Sequence, residues 1–162
     1  MIYSLPKQKT TDLLERCNFL SIEDREDELL LYRLKHEAEA LVARFGSDPT
    51  AYQALGFVYA IMNRHELVRE IFQKALRKFP NDFGVNVNYA ACLNQLGFPE
   101  EAIVYAQKAH ALDKSNLFAL HILIHSYEFS AQFQQARQWY PVLEKMEPQM
   151  ISYDKESISH LA

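Results

Sequence analysis

Between Pro49 and Met62 the apolar residues Tyr52, Leu55 and Tyr59 return at steps of three and four, which places them on one helical face. After the polar pair Asn63-Arg64 a second run begins. Val68, Phe72, Ala75 and Leu76 form its apolar face, and Phe79-Pro80 ends it. Pro49 suits the first turn of a helix, where its missing N–H is no loss. The pattern therefore predicts a helical hairpin, with helix A over 49–62 and helix B over 65–78. Gly56, on the inner face of helix A, lets helix B approach closely. The same pattern returns in a second hairpin over 83–116, with Tyr89, Leu93, Ala102 and Ala109 at equivalent positions. In its turn, Gly97 closes helix A and Pro99 opens helix B. An equal shift lands on a third hairpin over 117–150, carrying Leu123, Tyr127, Ala136, Leu143 and Pro148.

The flanks follow the same spacing less closely. Residues 1–20 form an N-terminal segment. Positions 1–10 read as loose chain, and Thr11 caps a short helix carrying Leu13, Leu14, Cys17 and Leu20. Residues 21–48 hold a helix predicted over about 22–45. Its acids at 23, 24, 26, 27 and 28 match the positive end of the helix dipole, and Gly46 stops it. Leu34, Ala38 and Leu41 fall where Val68, Phe72 and Ala75 fall, so this helix reads as a worn helix B acting as an N-terminal cap. Residues 151–162 read as a C-terminal capping helix or tail, with Ile151, Ile158 and Leu161 toward the third hairpin. Pro141, inside helix B of that hairpin, is expected to kink or shorten it.

A two-helix unit with a period of about 34 residues, and with recurring large, small and terminal-proline positions, resembles the tetratricopeptide repeat (TPR) family. The match covers 49–150. The resemblance implies an all-α fold, a right-handed superhelical solenoid of three hairpins with capping helices at both ends. The repeats depart from the family pattern in places. The first signature position is Tyr52, Asn86 and Leu120. The family glycine is Gly56, then Ala90, then Ile124, which predicts a wider helix pair in the third unit. Small proteins with three such repeats and an N-terminal helix are also similar to the chaperones that hold hydrophobic translocators for bacterial type III secretion.

Composition narrows the function classes. The chain has 162 residues, a formal charge of -4 and only two cysteines, Cys17 and Cys92, without C-x-x-C spacing. Such a field does not suit general nucleic-acid binding, and two buried thiols suit a reducing cytoplasm. No apolar run reaches the roughly 18 residues needed to span a bilayer. No phosphate-binding glycine loop, nucleophile elbow or H-E-x-x-H motif occurs, so no enzymatic chemistry and no cofactor is expected.

In a solenoid of this kind the A helices line the concave wall, where family members usually hold peptides or helices. The equivalent positions here are Gln53, Phe57 and Ile61 in the first unit and Val87, Asn88, Asn94 and Gln95 in the second. The third unit supplies Phe118, His121, Ile122, His125, Glu128 and Phe129. Across 49–62, 83–96 and 117–130 there is no Lys or Arg, and Glu128 is the single acid. A clamp for a peptide carboxylate needs cations, so the wall suits an apolar peptide or helix of another protein. His121, His125 and Glu128 share a helical face and could make a metal-dependent protein, though zinc needs further ligands. Helix 117–129 is apolar on nearly all sides. A bound partner, a homodimer, or Ile2, Tyr3 and Leu5 folded into the groove would each explain it. On the outer face, Arg64, Arg69, Lys74, Arg77 and Lys78 offer a basic surface to an acidic partner.

Overall fold

A computed structural model describes residues 4–20 and 22–147. The described residues form helices and no strands: α1 (Ser4–Asn18), α2 (Ile22–Glu26), α3 (Glu28–Arg44), α4 (Pro49–Ile61), α5 (His65–Lys78), α6 (Phe83–Gln95), α7 (Pro99–Leu112), α8 (Leu117–Phe129), α9 (Phe133–Arg137) and α10 (Tyr140–Met146). From α3 onward each packs on its neighbours in sequence, while α1 packs on α4 and α3. The A helices α4, α6 and α8 form one layer, which α1 extends at its N-terminal end. The B helices α3, α5, α7 and the α9–α10 pair form the other, giving a solenoid of stacked hairpins.

The repeat register is written into the helix ends. Helices α4, α6 and α8 start after Asp48, Asp82 and Asn116, and each side chain caps its helix. They accept from Thr50 N at 2.9 Å, Val85 N at 2.8 Å and Ala119 N at 3.1 Å. Each such cap is worth about 1 kcal/mol. The same helices end in a left-handed residue: Asn63 at φ 56°, Gly97 at 82° and Ala131 at 58°. The next N–H, of Arg64, Phe98 and Gln132, then donates back to Tyr59 O, Leu93 O and Tyr127 O, each at 2.8 Å. B helices also end alike. The N–H groups of Phe45, Phe79, Asp113 and Glu147 donate to the carbonyls of Leu41, Ala75, Ala109 and Leu143. The ends of α3 and α10 therefore keep the register of the inner hairpins.

Packing between A and B helices is set by matched sizes. A Cβ added to Gly56 would lie 2.2 Å from Phe72 Cε2, so only hydrogen fits beneath that ring. Phe72 is fully buried and stacks on Tyr89 at 4.8 Å. In the second hairpin the equivalent pair is Ala90 and Ala106, both fully buried. The third carries Ile124 and Tyr140. Ile124 is buried, while Tyr140 is 40% exposed and bonds Glu128 at 2.5 Å instead of entering the core. Two large residues do not fit where Gly and Phe, or two alanines, fit.

Pro141 acts more strongly than a kink. The expected third helix B is broken into α9 and α10, with Pro141 in the first turn of α10. Trp139 N–H donates to Ala136 O, and Trp139 O accepts from Val142 and Leu143. The ring of Trp139 packs edge-on against His110, centroids 5.0 Å apart.

Two N-terminal expectations are corrected. Helix α1 begins at Ser4, not Thr11, because Thr10, Leu13 and Cys17 share one buried face against α4. Thr10 Oγ1 also donates to Asp48 Oδ2 at 2.8 Å, tying α1 to the cap of α4. The helix expected over 22–45 is interrupted at Asp27, whose carboxylate accepts from Leu30 N and caps α3. The capping role expected for 151–162, and the alternative in which Ile2, Tyr3 and the side chain of Leu5 fill the groove, fall outside the described residues.

Candidate functional site

The concave wall divides into a part consumed by the fold and a part left open. Gln53 on α4 is 6% exposed. Its amide accepts from Asn88 Nδ2 at 2.9 Å and donates to Asp82 Oδ1 at 3.3 Å. It lies against Gly84, where an added Cβ would meet the Gln53 amide at 2.7 Å. Asn94 Nδ2 donates to Ser126 Oγ at 2.8 Å, and Ser126 Oγ donates to Ile122 O at 2.7 Å. Val87 is 2% exposed and packs with Ala109, Ala119 and Ile122. These amides are rungs that bind α4 to α6 and α6 to α8. Gln53 and Val87 therefore sit between helices instead of on the surface of the wall.

The open part lies on α8. Phe118 is 50% and Phe129 62% exposed. His125 is exposed too, edge-on to Phe129 with centroids 5.6 Å apart. Ile122, His121 and Glu128 are half-buried, as are Phe57 and Ile61 on α4, while Gln95 at the end of α6 is exposed. Helix α8 presents this apolar row because no further A helix follows it among the described residues.

The polar residues of α8 do not converge. His121 Nε2 faces Glu147 Oε2 at 3.7 Å, while Glu128 accepts the Tyr140 hydroxyl. Among the described residues no group of three His, Cys, Asp or Glu side chains could hold a metal ion. Both cysteines are buried, and burial pushes Cys17 up to about 11 and Cys92 up to about 12. Neither offers a thiolate nucleophile at neutral pH.

The basic outer face expected for the first hairpin is partly spent on packing. Arg69 bonds Glu101 at 2.7 Å, approaches Glu66 and lies over the Phe98 ring at 4.2 Å, locking α5 to α7. Lys78 donates to Tyr52 Oη at 2.8 Å and to Gly46 O at 3.1 Å. Sequence reasoning missed both contacts and the exposed ring of Phe133. Pro141 allowed two readings, a tolerated distortion or a bend presenting Trp139 and Tyr140. Tyr140 is exposed beside the break, while Trp139 packs against His110.

This stacking of two-helix units, with caps and left-handed turns recurring once per hairpin, is the fold of the TPR solenoids. Among similar solved structures is a thermophilic TPR protein of Thermus thermophilus, with a TM-score of 0.70 at 17% identity over 96% of this chain and 82% of that one. MamA is another, with a TM-score of 0.63 at 14% identity, covering 94% of this chain and 80% of that one. MamA of MSR-1 gives 0.60 at 18%, covering 91% and 82%. No family model matches the sequence, and no curated protein matches it. At these identities the likeness concerns the fold. No helix of the described residues is long and apolar enough to cross a membrane.

Proposed function

We propose that this protein is a non-enzymatic interaction scaffold that holds an apolar segment of another protein against the C-terminal half of its concave wall. The observation that carries this reading is the exposure of Phe118 and Phe129 on one uncharged row of α8. Fully burying such a ring contributes about 1.5–3 kcal/mol. Each ring is already partly covered, so the pair contributes roughly half of its combined value. Phe57, Ile61 and Gln95 extend the surface toward α4 and α6. The wall carries no cation to favour an acidic ligand, and the side chains of Gln53, Asn88 and Asn94 are used in bonds between helices, so selectivity rests on shape and apolar contact. Holding a hydrophobic client before its export would use this same surface on a narrower class of partner.

The test is a quantitative capture of partners by the natural protein and by a Phe57→Glu, Phe118→Glu variant. Loss of the captured proteins from the variant, with its helical signal intact, supports the reading. Equal recovery places binding elsewhere.

A further inference from the structure

The A helices of this protein bind one another through a repeating row. Gln53 on α4 meets Asn88 on α6, and Asn94 on α6 meets Ser126 on α8. Counting on by the repeat, the positions of α8 equivalent to Gln53 and Asn94, which meet the next A helix in the inner units, are His121 and Glu128, with His125 between them. No A helix lies against this row among the described residues. Beside it run Phe118, Ile122, His125 and Phe129, spaced by four, three and four. That is the seam spacing of one coiled-coil helix, and it contains no Asp, Glu, Lys or Arg.

We infer that the protein pairs with a second copy of itself through α8, the two helices running antiparallel across a twofold axis. The inference rests on the reading of α8 as a protein-binding surface and names the partner. A twofold interface must be complementary to itself, and this seam is. With the axis between Leu123 and Ile124, Phe118 lies against Phe129 of the partner subunit, and Ile122 against His125 of the partner subunit. His121 and Glu128 are seven residues apart on one flank. Antiparallel pairing brings His121 beside Glu128 of the partner subunit twice along one shared edge, so opposite polarities meet there. Each flank residue is already steadied by its own chain, Glu128 by Tyr140 and His121 by Glu147.

Area sets the strength. Phe118, Phe129 and Tyr140, at 50%, 62% and 40% exposed, supply roughly 300 Å² between them if each ring spans about 200 Å². A standard interface buries about 800 Å² per partner. The pairing is therefore weak and reversible, and strongly concentration-dependent.

Sedimentation equilibrium of the full chain over about 10–500 µM, the range of a small interface, is expected to show mass rising toward the dimer. Phe118→Glu should raise the dissociation constant about tenfold or more, as for an aromatic anchor of a small interface. Orientation is read by oxidation of exposed cysteines, since Cys17 and Cys92 are buried. In a Phe118→Cys, Phe129→Cys variant the two sites on one helix are about 16 Å apart, too far for an internal disulfide. This variant, and an equimolar mixture of the two single variants, should give a disulfide-linked dimer, while each single variant alone should not.

A monomer throughout the concentration range overturns the inference. So does linkage of each single variant as readily as the mixture. It is also overturned by a monomer whose thiols at 118 and 129 resist alkylation until residues 148–162 are deleted, which would make the chain's own segment the occupant. A monomeric protein that still loses its partners on Phe118→Glu leaves the proposed function standing and removes only this pairing.

Discussion

Gly56→Ala isolates the size rule that sets the hairpins. In an exposed helix interior the change is favourable by about 0.5–1 kcal/mol, because alanine loses less backbone entropy. Here the new methyl would lie 2.2, 2.7 and 2.9 Å from three ring atoms of Phe72. That ring is fully buried and stacked on Tyr89, so it has no free rotamer to escape into. Overpacking of this kind costs about 1–3 kcal/mol, and more when the obstacle is a fixed ring. The net expectation is a loss of about 2 kcal/mol, a fall in Tm of roughly 4–8 °C for a domain of this size. Urea unfolding followed by circular dichroism measures it as a lower midpoint with unchanged slope. Phe72→Ala costs about 3–5 kcal/mol by itself. In that background the added methyl has room, and Gly56→Ala should turn favourable. The second hairpin is the natural precedent, with Ala90 over Ala106. A coupling near zero in the double-mutant cycle, or a stabilising Gly56→Ala in the natural background, would refute the size rule.

Ala131 holds a left-handed turn at φ 58° where the second hairpin uses Gly97. Ala131→Gly should therefore stabilise by about 0.5–1 kcal/mol, read as a raised urea midpoint. Asn88→Ala leaves the buried Gln53 Oε1 without its donor, and should cost about 1–3 kcal/mol by the same assay. Cys17 and Cys92 ionise at about 11 and about 12, against 9.0 for an unburied thiol. Their contribution to stability is full below pH 9 and falls as pH rises toward those values, because the unfolded chain loses its thiol protons first. The urea midpoint should fall above pH 9, and less steeply in a Cys17→Ala, Cys92→Ala variant. Native protein at pH 8 should react with a thiol reagent no faster than it unfolds.

Hairpin positions were legible because apolar spacing and turn residues repeat together. Periodic amides were less legible. Gln53, Asn88 and Asn94 lie at wall positions by register, yet the fold uses them as rungs between helices, a distinction that needs the neighbouring helix in place. Asp48, Asp82 and Asn116 recur at one fixed interval as caps, and that signal was available from sequence spacing alone. The break in the third helix B was half visible. Pro141 marked it, but its completeness came from Ile124 and Tyr140 competing for space that only one can fill. Residues 11–20 read as a worn helix A, and α1 does extend the A-helix layer, but its start at Ser4 escaped the register, since it lies well before the A-helix position and α1 is held by Thr10 on Asp48. Phe118 and Phe129 fell at wall positions by register, but nothing in the sequence set their exposure apart from that of the wall's other apolar residues. Their exposure follows from the absence of a following A helix among the described residues.

Hydroxyl-radical footprinting reads the binding surface itself, with the protein diluted until it is monomeric and compared with and without saturating captured partner. Phe118 and Phe129 should become protected while Leu67 on α5 and Val104 on α7, exposed on the B helices, stay as reactive as before. Protection of Leu67 and Val104 with unchanged reactivity at Phe118 and Phe129 would contradict this assignment.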